Sequence, residues 1–272
     1  MSVRHAPWAD APADFAIGLA PIEPAAWLEG GEVDPARRKD ALYNSARDLV
    51  WGETEGSRAG QEEVLGLVEA ATGLTGDPAF PPLYAASRLV ADDLCLMEKR
   101  GGDWTLTGLS LSAATFFRAD EVVGKHLSAL HGPVPGFEDR LRSRVARIFE
   151  GLRPGLILQR RNWTVVNTNA LHAPDPAPIR ARIGEIASPA EELFVRVERQ
   201  TLRRLPRSGG ALFTIRVWRH PLGALRADPD RLAAFARAWR TAAPDFRAYK
   251  QLHLYDALIE AFLEESGVQA TA

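Results

Sequence analysis

The sequence has 272 residues but one cysteine, two methionines and little lysine, and each shortage removes a class of function. A lone Cys95 excludes an internal disulfide, a four-cysteine zinc site and an iron–sulfur cluster held by this chain alone. Its place between Leu94 and Leu96 reads as a small core residue rather than a thiolate ligand. Lysine occurs only at Lys39, Lys99, Lys125 and Lys250, so nearly all positive charge is arginine. Lys and Arg total 33 against 35 Asp and Glu, a formal charge of −2 that supplies no overall field for nucleic acid or an acidic membrane. Any anion binding must be local. No run reaches the roughly 18 apolar residues of a membrane span, and the N-terminus MSVRHAPWADAPADF lacks a basic start followed by an apolar stretch. With so little cysteine, these features predict a cytoplasmic protein. GxGxxG, phosphate-loop, HExxH and GxSxG patterns are missing, as are internal repeats and the HxH or HxxxH pairs of mononuclear metal sites.

What is present is 46% hydrophobic residues, ample for a sizeable core. Residues 1–33, rich in Pro, Ala and Gly, predict an arm lying on the body, with 34–272 as a single domain. Asp34-Pro35 predicts a helix start running to about Leu49, and Ala59 to Ala71 a second helix ended by Gly73 and the prolines at 78, 81 and 82. The period then changes to strands at Arg88–Met97 and Trp104–Phe116, joined by a hairpin at Gly101-Gly102. Helices are expected over Asp120–Leu130 and Phe137–Phe149, and a strand over Gly155–Val166. Leu193–Arg203 and Ala211–Trp218 read as an antiparallel pair, and Pro229–Glu264 as two helices parted near Pro244. Hairpin-linked strands with helices at both ends indicate an α+β fold with an antiparallel sheet.

Three segments carry chemistry. In RVERQTLRRLP (Arg196 to Pro206), strand alternation sends Arg196, Glu198 and Gln200 to one face and Val197, Arg199 and Thr201 to the other. The segment is either a solvated edge strand with surface ion pairs or, beside the apolar ALFTIRV, a half-buried strand whose arginines need an acid or a bound anion. RRNW (Arg160 to Trp163) repeats the theme on another strand, either toward a shared face or as exposed charge. In HGPVPG a stiff loop fixes His131, as a helix-end cap or as a metal ligand or base. Asp92-Asp93 reads as a strand-start charge pair facing solvent.

The segments LVADDLCLM, WTLTGLSLSAATFF, HLSALHGPVPG, RRNWTV and RVERQTLRRLPRSGGALFTIRVW, in this order, resemble the haem-dependent oxidative N-demethylase family, also described as dimethylamine monooxygenase-like. Two positions depart from its pattern: Ala91-Asp92-Asp93 stands where Gln-Glu-Asp is usual, and Phe116-Phe117-Arg118 where a Phe-Pro-Ser type sequence is usual. The resemblance implies a PAS-like sheet, a bound haem b with a His axial ligand, and removal of a methyl group from a small secondary amine with O2, releasing formaldehyde. It makes His131 the expected iron ligand. Arg199 and Arg203, supported by Arg161, become the expected haem-propionate or distal residues, and Glu198 the carboxylate that orients an Arg or meets the amine. Without a dinucleotide fingerprint or cysteine cluster, electrons would come from a separate flavin or iron–sulfur reductase. A haem-binding sensor or carrier, and a haem-free organic-anion-binding module, stand as alternatives.

Overall fold

The computed structural model describes residues 3–10, 13–14, 17–132 and 142–269. Its centre is a seven-stranded antiparallel sheet in the order β1-β5-β6-β7-β3-β4-β2. The strands are β1 Ala20–Ile22, β2 Trp51–Glu53, β3 Asp93–Arg100, β4 Asp103–Ser110, β5 Ile157–Val166, β6 Phe194–Arg204 and β7 Ala211–Pro221. The α+β class read from the sequence is the one observed. Among the described residues no helix is long and apolar enough to cross a membrane.

Local chemistry sets the strand ends. Arg100 pairs with Asp103 across Gly101 (φ 60°) and Gly102 (φ 97°), a two-residue turn whose positive φ angles match the twist of a hairpin. The strand after this turn stops at Ser110, short of the expected Phe116. The cause is Asp93, whose carboxylate accepts from Ser112 N (2.6 Å), Ser112 Oγ (2.8 Å) and Ala113 N (3.0 Å) and turns the chain away from the ladder. The predicted strand start at Arg88 is also corrected. Pro82–Arg88 is a helix with Pro at its first position, buried from Pro82 to Ser87, so the apolar run at its end marks burial rather than a strand. The helix expected over 120–130 is two short ones, Ala119–Val122 and Leu127–His131, parted at Gly124 (φ 84°). The C-terminal region holds three, Pro229–Thr241, Pro244–Lys250 and Asp256–Glu265, because Gln251 takes a left-handed conformation (φ 53°).

The two faces of the sheet are covered differently. Helices Arg58–Thr72 and Pro82–Arg88 and the arm's Trp27 pack on Leu94, Leu96 and Leu212, forming the core of the back face. At the far ends of β5 and β6 the same face meets the C-terminal helices, through Trp163, Val165, Val195 and Val197 against Phe235, Trp239 and Phe262. The front face, with Cys95, Met97, Leu109 and Leu202, is covered by the segment 119–122 and helix Arg142–Gly151. Among the described residues that cover leaves a gap.

Candidate functional site

The gap on the front face is a cavity of about 420 Å³, a size suited to a small molecule or cofactor. Alternation along the strands builds its floor: Cys95 and Met97 from β3, Leu202 from β6, Phe213 and Ile215 from β7. Leu127, Leu130, Val145, Ile148 and Phe149 form an apolar wall from the helices on either side of the HGPVPG loop. A polar wall opposes them. Arg160 and Asn162 of β5, Glu198 and Gln200 of β6, and Tyr249 and Lys250 of helix Pro244–Lys250 also line the cavity. Phe117 and Tyr249, among the most exposed large side chains, stand on its lining at 38% and 40% exposure.

The register makes this wall a unit, because Arg160 pairs with Gln200 and Asn162 with Glu198. Burial alone would raise the Glu198 carboxyl, but Arg196, Lys250, the Gln200 hydrogen bond and Arg160 hold it below the usual carboxylate range. Arg196 Nε lies 3.7 Å from Glu198 Oε1, and Gln200 Nε2 donates to Oε2 at 3.0 Å. Arg196 is itself buried, and its guanidinium donates to the carbonyls of Ala113 and Leu171, bracing the segment that ends β4. Arg160 and Lys250 differ. Neither side chain has a hydrogen bond or an ion pair within 4.0 Å to another described residue; Lys250 lies only near the rings of Phe246 and Tyr249. Burial lowers the pKa of both, so an anion arriving there would relieve two partly desolvated cations. Cys95 is buried in the floor, and desolvation pushes its thiol up, away from a thiolate.

The residues expected from the sequence are not all gathered here. Glu198 lies in the polar wall, whereas Arg199 is on the back face, buried, donating to Gln159 Oε1 (2.5 Å), Trp27 O (2.6 Å) and Ala26 O, with Glu29 Oε1 at 3.2 Å. Arg203 also points back, its guanidinium 4.1 Å above the Trp27 ring. Arg161 lines a smaller adjoining compartment. His131 ends the helix whose Leu127 and Leu130 wall the cavity, while its side chain and the loop residues 133–141 lie outside the described residues. Asp92 and Asp93 are both buried, not solvent-facing, because each serves one face of β3. Sequence reading missed Arg160 and Lys250 as members of the wall. A signal for Arg160 existed: once Glu198 is assigned to a pocket, alternation sends Arg199 to the opposite face and leaves the register of RRNW to choose between Arg160 and Arg161. Lys250 gave no such signal, since it comes from helix Pro244–Lys250, far from β5 and β6 in sequence.

The family model for haem-dependent oxidative N-demethylase, alpha subunit-like, matches residues 53–259. The chain belongs to this family. The matched span contains the floor of the cavity, its helical wall and its polar wall. The residues present fit a haem, an amphipathic macrocycle with two carboxylates: a broad apolar surface is bordered on one wall by two cations lacking hydrogen-bonding partners among the described residues.

Proposed function

We propose that this haem-dependent oxidative N-demethylase-like chain binds haem b in the front-face cavity and removes a methyl group from a small secondary amine such as dimethylamine. The observation that carries this reading is the pairing of an apolar floor with Arg160 and Lys250, two cations on one wall available for two propionates. When bound, the haem would supply the oxidative chemistry, with O2 as oxidant and formaldehyde as the carbon product. His131, at the end of the helix that walls the cavity, is the proposed iron ligand. Glu198 holds Arg196 and draws Lys250 and Arg160 together, keeping the cationic wall in place between ligands. The same arrangement answers the roles first expected of Arg199 and Arg203. On the back face they support the sheet instead. Residues 34–272 would act as one haem-binding unit beside the arm, and the alpha-subunit-like character of the family favours a partner component, here a separate flavin or iron–sulfur reductase.

Reconstitution with haem tests the reading directly. A Soret band that shifts with reductant and CO is expected, and a protein that takes up no haem would remove the proposal in favour of a haem-free anion-binding module. His131→Ala should abolish or shift the band; an unchanged spectrum rejects that ligand. Formaldehyde release from dimethylamine with a surrogate electron donor separates an enzyme from a sensor of the same fold.

A further inference from the structure

Beside the cavity lies a compartment of about 210 Å³ between the arm and the edge of β5. The two spaces meet along Asp14, Ile17, Arg160, Asn162 and Phe246, which line both. The compartment exists because β1 pairs only with Ile157–Gln159. Beyond Gln159 no strand among the described residues covers the edge of β5, and Asn162 Oδ1 accepts the N–H of Trp163 at 2.9 Å. Its volume lies below the roughly 300 Å³ at which drug-sized pockets begin. A molecule of a few heavy atoms fits; a macrocycle does not.

The walls carry opposite charges. Asp10 and Asp14 come from the arm, Arg160 and Arg161 from β5, and of these Asp10 and Arg161 line the compartment without lining the cavity. A simple cation entering here meets the guanidinium groups of Arg160 and Arg161, and a simple anion meets the carboxylate of Asp10. A molecule bearing both an ammonium and a carboxylate satisfies the two walls together.

We propose that this compartment is a reception site for a small zwitterionic N-methylamine, an N-methyl amino acid, whose carboxylate binds Arg161 and whose ammonium binds Asp10. The molecule then passes between Ile17, Arg160, Asn162 and Phe246 into the cavity. Binding itself is independent of the cofactor; what becomes of the bound amine rests on the demethylase reading above.

The test uses the haem-free full chain and N-methylglycine, with dimethylamine and acetate as single-charge comparators, followed by saturation transfer to the methyl protons in NMR. N-Methylglycine should bind saturably and more tightly than either comparator. Arg161→Gln should weaken it about tenfold or more, the loss of one charge-assisted contact, while leaving dimethylamine unaffected. Arg161→Lys should fall between, and Asp10→Asn should weaken both amines. Both side chains reach solvent, so the variants are expected to fold, which circular dichroism checks. The inference is overturned if N-methylglycine binds no better than the comparators, or if Arg161→Gln and Asp10→Asn leave its affinity unchanged. Haem uptake, read from the Soret band of the same proteins, separates the two failures. Binding of N-methylglycine without haem uptake leaves the compartment standing and removes the demethylase, and the reverse result removes the compartment alone.

Discussion

The back and front faces of the sheet use arginine in opposite ways. On the back, Arg161, Arg199 and Arg216 stand in one register across β5, β6 and β7, a row of like charges that would repel. The chain supplies the answer for the inner two. Glu29 lies 3.2 Å from Arg199, Glu32 lies 3.6 Å from Arg216, and buried Asp92 acts on both. Glu29 also accepts from Trp218 Nε1 (2.9 Å) and meets His5 Nε2 (3.0 Å), tying the arm down at two points. On the front, Arg160 and Lys250 have Glu198 for company but no ion pair within 4.0 Å among the described residues. What separates the two faces is whether the fold provides the cations with a close counter-charge.

The largest effect is expected at Arg199. Arg199→Met should cost about 3–5 kcal/mol, the effect of removing one member of a buried pair, lowering the melting temperature by about 10 °C. The converse holds in front. Arg160→Met or Lys250→Met should reduce haem affinity about 10- to 100-fold while leaving the haem-free protein's stability within about 0.5 kcal/mol. Urea titrations alongside haem titrations decide it, and a reversal of the two outcomes would exchange the roles assigned to the faces.

Acid titration sharpens the contrast within the back face itself. Burial would raise Glu29, but the hydrogen bond and charge of His5, then Arg199, hold it at about 2. The unfolded chain therefore binds the extra proton between pH 2 and 4.5, so this contribution is present above that window and lost on acidification. Asp92 is pushed the other way, to about 6, chiefly by desolvation against the pull of Arg216 and Lys39. Here the folded chain holds the proton, and stability falls as pH rises from about 4 to 6. Glu29→Gln should accordingly lose about 1–2 kcal/mol at pH 7 and flatten the acid limb, whereas Asp92→Asn should remove the descending slope between about pH 4 and 6. The smallest effect is expected at Trp27, whose indole N–H donates to Thr201 Oγ1 at 3.2 Å. Trp27→Phe should cost about 1 kcal/mol and leave haem binding unchanged.

Much of this fold is written in local pattern. The pairing of β6 with β7, the glycine hairpin and the Asp34 cap are each set by residues within a few positions, and Asp34 Oδ1 does accept from Arg37 N at 3.0 Å. The cavity is less legible, because it depends on which arginine of an Arg-Arg pair faces forward and on a lysine brought by helix Pro244–Lys250, far from those strands in sequence. Likewise, the three bonds that Asp93 accepts come from residues 19 and 20 positions away, beyond the reach of any local period. Alternation alone had already placed Arg199 and Glu198 on different faces. The resemblance drew them into one site, and the geometry keeps them apart.

Asp92 and Asp93 also fix how β3 enters the sheet. Neighbours in sequence, they occupy two chemical compartments, one carboxylate among the back-face cations and the other capping the turn after β4. Sliding the strand by one residue would exchange them, leaving the amides of Ser112 and Ala113 without their acceptor and setting Leu94 toward the front. The dipeptide thus acts as a key that seats in only one orientation, and a single-residue deletion just before it would misthread the strand shared by both faces.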